Sequence, residues 1–529
     1  VLLSLSPAWV GSGLGCTDDA VSGDDEVSGE TSDEDTDEGS DEGMISDGIP
    51  ARGIELLEVE ANQGTAVLIG KDGEWVGGDG RNAFMIRDRD TLIRLQHKVT
   101  PGWVPREIEG VLHLRTADGE DLPNRRRQFM VEEDSDPLSI SSSFYFSILA
   151  DEAQPGLTYW VELLEVDDGT LAGDAVEGLT TTPSDFELVG YETTALEIKV
   201  MLVPIEYTYF DTPTLVEPNE ADLQLLHDEL LQQNPLQTVT FELHEPYVYD
   251  NHLTNLGALL GPMAALRGNE NADPNVYYHA LVDVNGPAVN MVAGIAQLAG
   301  SGKSGGMSRV AATVWDKYNG NPPAGSAGTF VHEVGHNQGL PHVFCPGAAT
   351  EAAGPDPNYP HEGGTIGVFG FGIRSFKLYT PEGAHDYMTY CGNSWVSDWT
   401  FNKTYKRIRE LTSWDYEGPS AEATPNVPLM VGTLFADGSE DWWVMMGPEP
   451  EQDSLSAEQR LVYMGAGGDT NEVLTQVSTL SDGLTTLVVA PLTVPLDQLE
   501  SAARIDWRER DYEVPLEGLH VAAGLQISR

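Results

Sequence analysis

The sequence predicts a multidomain α/β + β protein. A central α/β domain, with a mixed twisted sheet and one histidine-bearing helix, lies between N- and C-terminal β-sandwich-like domains. Three observations lead there. Residues 49–195 and 424–529 read as short β runs separated by Gly, Asp and Pro. Residues 196–418 alternate strand-like with helix-like runs, the pattern of an α/β layer. At 529 residues and 40% hydrophobic content, the chain has apolar material for several cores of ordinary size.

Residues 1–16 read VLLSLSPAWVGSGLGC: an apolar run, then small residues, then Cys16. This is the shape of a secretory signal ending at a lipoprotein cleavage site, with Gly15 before a lipid-modified Cys16. Residues 17–48 hold no Lys or Arg and are mostly Asp, Glu, Ser, Gly and Thr. Such a run cannot bury enough apolar surface to order itself and reads as an acidic linker. The expectation is an extracellular or cell-surface protein of the bacterial outer-membrane lipoprotein kind, tied to a membrane only through Cys16. Lys+Arg 28 against Asp+Glu 85 gives a net charge of −57, which argues against nucleic acid or anionic lipid as a partner. Calcium is compatible with this acidity, but no calcium-loop spacing supports it. Nothing in the sequence sets an oligomeric state.

In the first β region the runs IELLEVEA, TAVLI, TLIRLQHKV, EGVLHLRTA, SSFYFSILA and LTYWVELLEV alternate in part, as half-buried strands do. Arg125, Arg126 and Arg127 follow DLPN and read as a solvated turn. His97 and His113 lie singly in strand-like runs and are expected to be structural. In the centre, LEIKVMLVPIEY, TVTFELHEPYV, NVYYHALVDV and SRVAATVWD read as strands. PNEADLQLLHDELLQQ and LTNLGALLGPMAALRG read as helices, the first with acidic residues early. His244 and His279 lack spaced partners and are also expected to be structural. AGSGKSGG resembles the end of a phosphate-binding loop, but Gln297 stands where that loop needs Gly, so it reads as a Gly/Ser connection. In the last region LMVGTLFA, DWWVMMG, QRLVYMG, TTLVVAPL and LHVAAGLQIS are β runs. Trp442 and Trp443 fit core aromatics better than a sugar-binding face, and His520 is expected to be structural.

The chemistry concentrates in TFVHEVGHNQGLPH, residues 329–342. His332 and His336 stand four apart, so on a helix both imidazoles leave one face and can share a zinc ion. Glu333 can reach a water on that metal. Gly339 can take the positive φ that stops a helix and returns the chain, bringing His342 in as third ligand. Three protein ligands leave a fourth position open, the arrangement of a catalytic zinc. There are three cysteines; with lipid on Cys16, Cys345 and Cys391 remain, and their disulfide would tie the segment after His342 to the segment after Met388.

His332-Glu333-x-x-His336-x-x-Gly339-x-x-His342, followed by Met388 in DYMTY, resembles the metzincin clan of zinc endopeptidases. The resemblance covers about residues 196–417. It implies a metzincin-like catalytic fold, one catalytic Zn2+ on the three histidines and Met388 as an apolar floor beneath them. It also implies hydrolysis of a protein or glycoprotein substrate with Glu333 as general base. A tyrosine two residues after the methionine supports the oxyanion in the astacin-like and serralysin-like branches, which makes Tyr390 a second catalytic candidate. The strand SRVAATVWD would form the upper edge of the cleft. Large bacterial relatives of this kind cleave mucin-type glycoproteins. The chain departs from the clan at Val343, which matches no named branch, and it has no matrixin-type cysteine switch to explain latency. The rival readings are a glycan-binding adhesin with a vestigial protease domain and a zinc amidohydrolase acting on a cell-wall component.

Overall fold

The computed structural model describes residues 48–166, 185–316, 324–347, 354–416, 426–506 and 508–522. The signal-like start, Cys16 and residues 17–47 of the acidic linker lie outside them.

The N-terminal region forms two antiparallel sheets. One has five strands in the order Glu74–Trp75, Ala66–Lys71, Ile54–Asn62, Thr91–Val99, Phe144–Ile148. The other has four: Asp121–Val131, Arg106–Arg115, Thr158–Glu165, Glu187–Leu188. Val59 and Leu95 from the first sheet share a core with Leu112 and Tyr159 from the second. Gly110 permits the close approach: a Cβ there would lie 2.6 Å from the Phe144 ring. Arg125 to Arg127 form no turn. They lie within the strand Asp121–Val131, where Arg126 pairs with Glu109, Arg125 with Glu152, and Arg127 covers the Tyr145 ring. Glu109 on the neighbouring strand and Glu152 in the turn after Phe144–Ile148 supply partners that solvent was expected to supply.

The central sheet is mixed. Glu197–Tyr207 pairs in parallel with Thr238–Leu243 and Val276–Val282, and Val276–Val282 in parallel with Val310–Val314. Buried Ile198, Val200, Leu202 and Val203 give its first long strand two apolar faces, as a sheet covered on both sides requires. Helix α1, Glu220–Gln233, starts from a capping box between Asn219 and Asp222. Helix α2 is Leu260–Asn269, α3 is Ala324–Asn337 and α4 is Asp398–Ser413. The Gly/Ser connection carries a short 3-10 turn at Ser304–Ser308.

Val310–Val314, from SRVAATVWD, is not the edge. A further strand, Gly294–Ala296, lies outside it and pairs antiparallel. Three residues are too few to show a period, so that strand was invisible in the sequence.

The C-terminal region is one hydrogen-bonded sheet of eight strands rather than two separate sheets. It encloses a core of Met430, Trp442, Val444, Leu461, Tyr463 and Val488. Trp442 is buried, and its ring lies over Gly432, where a Cβ would meet it at 2.5 Å. Trp443 stacks on His520 and packs against Gly261 of α2. Leu429, Val431, Met445 and Leu487 join Met263 and Ala264 in a single core, so this sheet is docked on the central domain. The other single histidines also have structural partners. His97 meets the Glu133 carbonyl, His113 meets Glu162, His244 meets Glu270 and His279 meets Thr313.

Candidate active site

Helix α3 forms because Ala327, Phe330, Val331 and Val334 repeat at helical spacing and are all buried. Its C-terminal turn is tied to the sheet by Asn337, whose side-chain amide donates to the Gln297 and Val310 carbonyls at 2.9 and 3.0 Å. The helix stops at Gly339, which has φ +87° and donates its N–H to the His336 carbonyl. That reversal carries His342 back to the helix face.

The three imidazoles converge. His336 Nε2 lies 3.0 Å from His332 Nε2 and 3.2 Å from His342 Nε2. The Nδ1 atoms of His332 and His336 face the Tyr387 and Leu340 carbonyls, each at 2.7 Å. Those contacts place the ring protons on Nδ1 and turn the Nε2 lone pairs inward. Burial and the neighbouring imidazoles hold His332 down to about 4, and push His336 well below the usual histidine range. Neutral rings with facing lone pairs repel one another unless a cation sits between them. The donor set therefore fits zinc, with nitrogen ligands and backbone carbonyls orienting them.

Glu333 is buried on the same helix. Burial raises its carboxyl well above the usual range, a hydrogen bond from Ser481 lowers it, and the charge of Asp482 raises it. Its Oε2 is buried without a protein partner. The edge strand presses on it: a Cβ at Gly294 would lie 2.5 Å from Glu333 Oε1. Gly294 and Ser481 are site residues that the motif could not reveal. A lone Gly in a strand was the one available signal for the first.

Met388 lies against the histidine helix. Met388 is buried, and its sulfur would lie 2.5 Å from a Cβ at Gly335. Asp386 shapes the turn: its buried carboxylate accepts from Met388 N–H at 2.9 Å and from Ser397 N–H at 3.1 Å. Val343 N–H donates to the Met388 carbonyl at 2.9 Å, joining the segment after the third histidine to this turn. Cys345 and Cys391 form a disulfide with Cα atoms 6.2 Å apart. That bond removes both sulfurs from any metal cluster with His385. Tyr390 is 42% exposed, and its ring centroid lies 4.7 Å from His342 and 5.8 Å from His332.

Residues 189–343 match the family described as Metallo-peptidase family M12B Reprolysin-like. No curated protein matches the chain. Among solved structures, it is similar to a calcium binding mutant of Bacteroides uniformis beta-glucuronidase 2, at 10% identity and TM-score 0.15. It is also similar to a Bacteroides fragilis protein described as a beta-galactosidase, at 13% identity and TM-score 0.12. Each likeness covers 44% of this chain, and the chain spans 29% and 39% of their respective lengths. Scores this low carry no argument. The family match and the histidine constellation agree on the same segment: residues 189–343 carry the reprolysin-like metallopeptidase match and hold His332, His336 and His342, a three-histidine zinc-binding group.

Proposed function

We propose that this protein hydrolyses internal peptide bonds of extracellular proteins or glycoproteins, working secreted or anchored to a cell surface through Cys16. The observation that carries the reading is the convergence of the His332, His336 and His342 Nε2 atoms beside a buried Glu333. Zinc held there would act as a Lewis acid toward the scissile carbonyl and make water acidic enough to attack near neutral pH. Glu333 takes the proton from that water at its carboxylate and returns it to the leaving amine. Its buried setting supports this role, because a raised carboxyl pKa brings proton uptake and release closer to neutral pH. Tyr390, at the exposed side of the histidines, donates its hydroxyl to the oxygen that gains charge. Met388 and Asp386 do no chemistry; they hold the Tyr387 carbonyl that orients His332. A substrate chain would lie extended against the edge strand Gly294–Ala296.

The test is cleavage of casein and of a mucin-type glycoprotein, with and without a chelator, by wild-type and Glu333→Ala protein. Glu333→Ala should lose at least 1,000-fold in rate, the combined order of proton transfer and its positioning. Tyr390→Phe should lose roughly 10–100-fold, smaller than loss of a full oxyanion donor. Cleavage that survives both chelator and Glu333→Ala would overturn the reading.

A further inference from the structure

The outer side of the edge strand is paired with the protein's own chain. Gly294–Ala296 bonds to Val310–Val314 along one side only. Along its other side runs a turn of the C-terminal sheet, residues 480–485. Ser481 N–H donates to the Ala296 carbonyl at 3.0 Å, and Ser481 Oγ accepts from Ala296 N–H at 3.0 Å. Leu480 and Gln297 form an antiparallel bridge. The two hydrogen-bonding groups of Ala296 that a visiting extended chain would use are thus both engaged.

The turn is well made. Leu480 N–H donates to the Thr485 carbonyl at 2.8 Å, and Gly483 takes φ +65°. The Asp482 carboxylate accepts from Leu484 N–H and Thr485 N–H, both at 2.9 Å, and from the Thr485 hydroxyl at 2.6 Å. Leu480 is 2% exposed and joins the core that includes Ile295 and Leu256. The contact therefore has an apolar anchor, two hydrogen bonds to the main chain of one strand residue, one of them from a backbone N–H and one to a side-chain hydroxyl, and a braced turn. An accidental touch of two domains would have none of these.

We propose that residues 480–485 occupy the place of a substrate main chain along Gly294–Ala296 and hold the peptidase latent until the turn is lifted. This rests on the reading that the edge strand receives substrate. It supplies a latency device built from the chain's own C-terminal sheet. A chain segment tethered in the same molecule competes at a high effective concentration, so an untethered substrate gains access only to the open fraction.

Two variants test it. Ser481→Pro removes both the N–H and the hydroxyl that engage Ala296. Asp482→Ala keeps both Ser481 groups that engage Ala296 but removes the carboxylate that braces the turn, so the turn lifts more readily. Binding is read first, in a Glu333→Ala background, as the affinity for fluorescently labelled unfolded casein. Each turn variant should bind at least tenfold more tightly than Glu333→Ala alone. With Glu333 restored, kcat/KM on casein should rise, and the cleavage should stay chelator-sensitive. Equal casein affinity and equal chelator-sensitive cleavage in the wild type and both folded turn variants would overturn latency and leave the peptidase reading standing. Tighter binding with no cleavage in any variant would keep the contact as a block on the edge but overturn the peptidase reading, and with it latency. A Ser481→Pro protein that fails to fold passes the decision to Asp482→Ala.

Discussion

Gly294→Ala should disable catalysis while sparing the fold. The added methyl would stand 2.5 Å from Glu333 Oε1, 2.5 Å from Thr329 Cγ2 and 2.8 Å from Glu333 Cγ. An unstrained carbon contact needs about 3.5 Å, so roughly 1 Å of overlap has to be relieved. The helix backbone cannot yield easily, because Asn337 ties α3 to the sheet through two carbonyls. The Glu333 side chain is the part free to move, and it moves away from the position beside the histidines. Displacing a catalytic group by 1 Å costs on the order of 100-fold in rate. Overpacking one methyl costs about 1–3 kcal/mol of stability, which a domain of this size survives. The assay is kcat/KM on a short fluorogenic peptide, measured for Gly294→Ala against the wild type, both with the turn at residues 480–485 intact. Zinc content and the unfolding midpoint are followed in parallel. Thr329→Ser, which removes the second clashing carbon, should restore part of the loss. A Gly294→Ala enzyme within threefold of its parent would refute the argument that Gly294 fixes Glu333.

The remaining predictions concern stability and the metal. Replacing Cys345 and Cys391 together by Ser releases a loop with a sequence separation of 46, worth roughly 4 kcal/mol by the chain-entropy relation. Urea unfolding should show that loss, and reductant should reproduce it in the wild type. His279 is held by burial at about 3 from an ordinary 6.5, so the folded state refuses a proton that the unfolded chain accepts. Its contribution is fully present above pH 6.5 and is lost on acidification toward pH 3, by up to about 1.4 kcal/mol per pH unit. His279→Gln should flatten the stability profile between those limits, and an unchanged slope would refute it. Asp386→Ala leaves two buried N–H groups without an acceptor. It should cost about 2–4 kcal/mol and weaken zinc retention through the shifted Tyr387 carbonyl, read by titration with a competing chelator.

The zinc helix was legible because all its determinants are local. Five fixed residues in eleven specify two ligands, a carboxylate, a helix stop and a third ligand, and Gly339 delivers the turn with φ +87°. The disulfide could be read because the chain has few cysteines. The opposite wall could not be read. Gly294 sits in a three-residue strand, below the length at which alternation carries information. Ser481 comes from a different domain, and no pattern near residue 481 marks a partner at Ala296 or Glu333. Arg125 to Arg127 misled for a related reason: clustered charge reads as a solvated turn when the carboxylates that answer it are distant in sequence, Glu109 on another strand and Glu152 in a turn. The C-terminal runs were correctly read as strands, but how many sheets they form depends on pairing order, which a list of strands does not contain.

Arg89 has a consequence for how this protein could have been assembled in evolution. Its guanidinium, buried and pushed down to about 9, donates to the Gln232 carbonyl in the last turn of α1, to the Asn234 and Leu236 carbonyls just beyond it, and to the Gln63 carbonyl in its own region. The end of a catalytic-domain helix is therefore finished by a residue from the preceding β region. A gene fragment beginning near residue 196 would encode the whole zinc motif, yet leave those carbonyls without their donor. The peptidase unit is thus poorly suited to exchange between proteins on its own. Recombination that moves it intact has to carry the N-terminal sheets as well.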